Sequence, residues 1–123
     1  MRKALPLAAL ALFIPFLHAQ DSPQQAAAIR YRTELMDVAI RKFARYPRAA
    51  VESGLRGRAV VRLEFAASGR MRGLTIQESS GHAVLDEAAL DTVVDAIGAT
   101  KIPPELKGME FRVDVPVLFK LDR

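Results

Sequence analysis

The chain has no cysteine and no tryptophan, and only two histidines in 123 residues. Without cysteine there is no disulfide to staple the fold, and metal sites built on thiolate are excluded. Stability must then come from an apolar core, which roughly 100 residues can supply within a single domain. No G-x-S-x-G elbow occurs, so the strand-to-helix nucleophile of an α/β-hydrolase is absent. Gly54 and Gly57 flank Arg56 without a phosphate-cradling spacing, which leaves no nucleotide loop. No apolar run reaches the roughly 20 residues that span a bilayer.

The uncharged run that does occur, Ala4 to Ala19, follows Arg2 and Lys3 and is interrupted by Pro6 and Pro15. A basic start, a short apolar middle and a small residue at the exit describe a secretory signal peptide over residues 1–19, with Gln20 as the new N-terminus. The expectation is an exported, periplasmic protein; a retained anchor is the competing reading. Removing Arg2 and Lys3 leaves 16 basic and 14 acidic residues, a formal +2. That surplus is too small to indicate nucleic acid. It is unevenly spread, with 11 basic and 4 acidic residues from Arg30 to Arg72 and 5 basic and 9 acidic from Gly73 to Arg123, a distribution expected of solvated faces.

Residues 20–45 read as one amphipathic helix. Ser22 is placed as its cap, Pro23 as its first residue and Gln25 where a capping box needs it. Ile29, Met36, Ile40 and Phe43 recur at helical spacing, widened by Leu35 and Ala39, and are the expected buried stripe. The pair Tyr46-Pro47 stops the helix, and Pro47 opens a short second one that Gly54 ends. From Arg58 the period becomes two: Ala59, Val61, Leu63 and Phe65 point one way, and Arg58, Val60, Arg62 and Glu64 the other. A turn over Ala66 to Arg70 returns the chain, with Leu74 and Ile76 inward. A helix from about Val84 to Ile97 follows, its apolar side made by Leu85, Ala88, Ala89, Val93, Ala96 and Ile97. Pro103-Pro104 punctuates its exit, and Phe111 to Leu121 alternates through a final strand.

The order helix, helix, strand, strand, helix, strand predicts an α+β domain. A tight turn makes the first two strands antiparallel, and a crossover through a helix brings the last strand beside the first. The expected sheet is three-stranded and antiparallel, in order 2-1-3, with helices on one face. The last strand then lies at an edge, where Pro116 is acceptable because it has no N–H to donate. A long apolar edge is either shielded or used as a template by another chain.

One short stretch invites a chemical reading. "QESSGHAVLDEAAL", Gln77 to Leu90, holds Ser79, Ser80, His82 and Asp86, the components of a hydrolase triad. Residues this close in sequence rarely reach triad geometry, and His82 with Asp86 offers two metal ligands where zinc takes three or four. A strand end, a Gly81 turn and a first helical turn with acids at its positive pole account for the same residues. No enzyme activity, metal or cofactor is expected.

Tyr46-Pro47, Ala50, Gly54, "GRAVVRLEF", Gly69, "LTIQESSG", "LDEAAL" and "VPVLFKL" together resemble the TonB C-terminal domain family over about Ala44 to Leu121. The resemblance implies a periplasmic domain, residues 46–123, of a Gram-negative envelope. Its partner would be the TonB box, a short extended segment of a TonB-dependent outer-membrane receptor, added as a strand along the last strand of the sheet. That maps partner contacts onto Arg112, Val113, Asp114, Val115, Val117 and Phe119, with Tyr46 and Pro47 nearby. Full transducers also draw energy from ExbB and ExbD through an uncleaved anchor and a long Pro-rich spacer. This chain departs from that pattern, carries Phe43 where the family often has a polar residue and lacks a tryptophan after the second helix, so motor coupling is not expected. A homodimer or envelope scaffold using the same edge is the alternative.

Overall fold

The structure, a computed structural model, describes residues 22–121; the expected signal peptide lies outside the described residues. Helix α1 spans Pro23–Val38, capped by Ser22, whose hydroxyl accepts the Gln25 amide at 3.4 Å. Its final turn, Ala39–Phe43, widens to a π-helix, closed by the Ala44 amide on the Ala39 carbonyl at 2.7 Å. The buried side of α1 agrees only in part with the stripe expected from sequence, sharing Leu35 and Ala39 with it, while Met36 and Phe43 pack against the core from its margin. Ala27, Tyr31, Leu35 and Ala39, each four residues apart, face the core, whereas Ile29 is 63% and Ile40 70% exposed. The reason is geometric: at ~3.6 residues per turn Ile29 lies about 160° from both Ala27 and Tyr31, on the face opposite the ladder, and Ile40 lies about 100° from Ala39, on its flank. Small Ala27 and Ala39 let the helix sit close, and Tyr31 fills the space between.

Helix α2, Arg48–Glu52, is entered from Pro47 and ends in a Schellman turn. Gly54 adopts φ +68°, its amide reaches the Val51 carbonyl at 3.1 Å, and the Leu55 amide reaches Ala50 at 2.9 Å. Strand β1, Gly57–Phe65, and strand β2, Met71–Glu78, form a hairpin over Ala66 to Arg70, where Gly69 takes φ +90°. Helix α3 spans Ala83–Gly98, a single 3-10 turn spans Pro104–Leu106, and strand β3 spans Phe111–Phe119. The sheet is antiparallel throughout, with order β2-β1-β3.

The register explains the core. Val61 lies opposite Ile76 on one side and Val115 on the other, and Leu63 lies between Leu74 and Val113. One row of side chains therefore faces α1 and α3, and Leu85, Ala89, Val93 and Ala96 close it from α3. Tyr31 enters from α1 edge-on to both Phe65 and Phe111, with centroids 6.0 Å away in each case, while those two rings stack at 4.8 Å. No helix among the described residues is long and apolar enough to cross a membrane.

Candidate partner-binding edge

In an antiparallel ladder the N–H and C=O of one residue point to the same side, and those of its neighbours to the other. Two observations fix the phase in β3. Pro116 has no N–H to give β1, and the Asp114 carbonyl accepts the Arg32 guanidinium (Nε) of α1 at 2.7 Å, outside the sheet. Arg112, Asp114, Pro116 and Leu118 therefore turn their backbone outward, and Val113, Val115, Val117 and Phe119 turn theirs to β1. The free edge is a row of main-chain groups suited to another extended chain.

The residues expected to meet a partner thus divide into two kinds. Val113, Val115, Val117 and Phe119 are buried, so their side chains belong to the core. Arg112 and Asp114 lie on the side of the sheet away from the helices, where Arg62 forks onto Asp114 with bonds of 2.9 and 3.1 Å. That bond holds the Asp114 carboxyl below the usual carboxylate range against the opposing effect of burial, and the charges of Arg62, Arg112 and Arg32 add to it. Tyr46 and Pro47 stand near the other end. The Tyr46 ring meets Phe119 edge-on at 5.4 Å, and its hydroxyl donates to the Leu55 carbonyl. Pro47 caps α2. Seven strand steps of ~3.3 Å separate Arg112 from Phe119, roughly 23 Å, so Arg112 and Tyr46-Pro47 occupy opposite ends of the edge.

Sequence reasoning missed the contribution of α1. Arg32, Met36 and Ile40 are spaced four apart on the flank beside the β3 edge. Met36, Ala39 and Ile40 line an apolar groove of about 340 Å³ with Pro116, Val117 and Leu118, and Leu118 is 59% exposed. The four-residue spacing was visible in the sequence; which flank met the sheet was not. Arg30 also ties α1 down, pairing with Glu105 of the 3-10 turn at 2.8 Å.

The serine stretch forms a turn. Ser79 donates its hydroxyl to Asp86 at 2.6 Å, the Ser80 amide donates to Asp86 at 2.8 Å, and the Ser80 hydroxyl lies 2.7 Å from the same carboxylate. Burial pushes the Asp86 carboxyl up, but these bonds outweigh it and hold the group below its ordinary value. The serines meet the aspartate directly, while His82 enters through its backbone. This arrangement fixes the start of α3. Among the described residues, no three acids or histidines group to hold a metal ion.

Residues 43–121 match the family model described as the Gram-negative bacterial TonB protein C-terminal. Protein TonB of Pseudomonas putida is 35% identical over 83 residues, which are 67% of this chain and 34% of that protein. The chain therefore spans about a third of that curated relative. Two NMR solution structures of the Helicobacter pylori TonB C-terminal domain share the fold. One has a TM-score of 0.64 at 21% identity, covering 76% of this chain and 83% of that one. The other has a TM-score of 0.53 at 20% identity, covering 79% and 96%.

Proposed function

The chain belongs to the family of Gram-negative bacterial TonB C-terminal domains, and we propose that it acts as a periplasmic, non-catalytic binding module that takes up an extended receptor segment as an added strand. The segment would be the TonB box of a TonB-dependent outer-membrane receptor, seated along the outer edge of β3. The outward phase of the β3 backbone carries this reading, because at the end of a three-stranded sheet it turns the main-chain groups of Arg112, Asp114, Pro116 and Leu118 away from β1, the Asp114 carbonyl among them being held by Arg32. In strand addition the main chain supplies affinity and alternate side chains supply selectivity. About four new hydrogen bonds at a net of roughly 1 kcal/mol each give a weak to moderate, reversible contact. Association with TonB-dependent transport accords with family membership, and export through a cleaved signal peptide completes the proposal.

Titrating receptor N-terminal peptides into the isotope-labelled protein tests it. Amide shifts clustered on β3 are expected. Shifts confined to other elements, or none with any receptor peptide, would refute the proposal. A dimer that survives dilution to low micromolar concentration and is unmoved by peptide would assign the edge to a second copy instead.

A further inference from the structure

We infer that α1, most of which precedes the residues the family model matches, forms the second wall of this strand site and restricts it to one half of the edge. The inference rests on the strand-addition reading and concerns where the segment lies and what its side chains touch.

At the Asp114 end, the Arg32 guanidinium already occupies an outward carbonyl, so an added strand would have to displace it. At the Pro116–Leu118 end no such contact is present among the described residues, and the groove formed with Met36, Ala39 and Ile40 opens beside the strand. An added segment lies about 4.8 Å from β3 in the plane of the sheet, with alternate side chains turned to the helical face. Those side chains would meet Met36 and Ile40. Ile40 and Leu118 are among the most exposed large apolar residues described, and one occupant would cover both.

The chemistry of the occupant follows. The outward groups of Pro116 and Leu118 require an extended main chain, and the apolar lining requires a bulky aliphatic side chain on its helix-facing side. Lys120 is the one ionic lining residue among those described, so a neighbouring carboxylate is favoured over a cation. The partner segment is therefore extended and aliphatic, and is held between β3 and α1 with Arg32 closing the far end.

The experiment is a peptide titration of the whole protein and two point variants, using receptor N-terminal peptides with aliphatic residues at alternate positions. In the parent protein, amide shifts should gather on residues 117–120 together with Met36 and Ile40, and leave Arg112 and Asp114 still. Ile40→Ser alters a residue that is 70% exposed, so the fold tolerates it; affinity should fall on the order of tenfold. Arg32→Ala should spread the shifts to Arg112 and Asp114 and tighten binding several-fold. Even shifts along all of β3, with Ile40→Ser binding as the parent does, would overturn the inference and leave strand addition intact. Absence of binding by every peptide would overturn both.

Discussion

Tyr31→Phe should stabilise this protein, against the usual direction for a core substitution. The Tyr31 ring is fully buried among Phe65, Phe111 and the α1 contacts, and its hydroxyl is buried without a hydrogen-bond partner. An unsatisfied buried donor costs about 1–3 kcal/mol relative to its hydrated state, and phenylalanine keeps the ring packing while removing that cost. For a domain near 100 residues, each kcal/mol moves the melting temperature by roughly 4–8 °C. Tyr31→Phe should therefore melt at least about 4 °C higher, with a matching rise in urea midpoint at unchanged slope. The same burial, with the Glu34 charge adding, pushes the phenol up to about 12. The folded state thus favours the protonated form. Stability is intact below the ordinary tyrosine value near 10 and declines as pH rises towards 12. Denaturant melts of parent and variant across pH 8 to 12 should diverge further above 10, because the variant lacks this titration. Equal or lower stability of Tyr31→Phe, with parallel alkaline profiles, would refute the reasoning and show the hydroxyl to be satisfied.

Two further substitutions probe the turn that sets α3. A Cβ on Gly57 would collide with the Ser80 carbonyl, a backbone atom held by the Asp86 network, so Gly57→Ala should cost about 1–3 kcal/mol in urea unfolding. An unchanged midpoint would mean the turn yields freely. Asp86→Ala should cost roughly 1–3 kcal/mol at neutral pH, as loss of the acceptor shared by the Ser79 hydroxyl and the Ser80 amide and hydroxyl does. Since the Asp86 carboxyl is depressed in the fold, its contribution is present above the ordinary value near 3.9 and is lost as pH falls through its folded value. The stability gap between parent and Asp86→Ala should therefore close in acid, and a gap constant down to pH 2 would contradict the assignment.

The strands were legible because period two admits one solution. Ala59, Val61, Leu63 and Phe65 had to share a face, and the tight turn at Ser68-Gly69 fixed the hairpin. Helix α1 was only partly legible: Leu35 and Ala39 of its expected stripe are buried and Met36 and Phe43 pack against the core, but its two isoleucines are not part of it. Alanine at 27 and 39 contributes little to a hydrophobic pattern, yet small residues allow the close approach that lets Tyr31 fill the core. Ile29 and Ile40, read as core, were left on the surface. The serine stretch was correctly readable as a turn, but the convergence of Ser79 and Ser80 on Asp86 needed coordinates.

The sequence by itself determined the α+β class, the order of the strands, the inward rows of the sheet and the position of β3 at its edge. Alternation, turn residues and the handedness of crossovers act locally or through simple chain geometry, so one dimension suffices for them. Only the tertiary structure decided which flank of α1 meets β3, that Arg32 caps the Asp114 carbonyl, and that Met36 and Ile40 line a groove with Leu118. Those contacts join residues about eighty positions apart, and their geometry depends on how closely a helix can settle on the sheet, which hydrophobic periodicity does not encode.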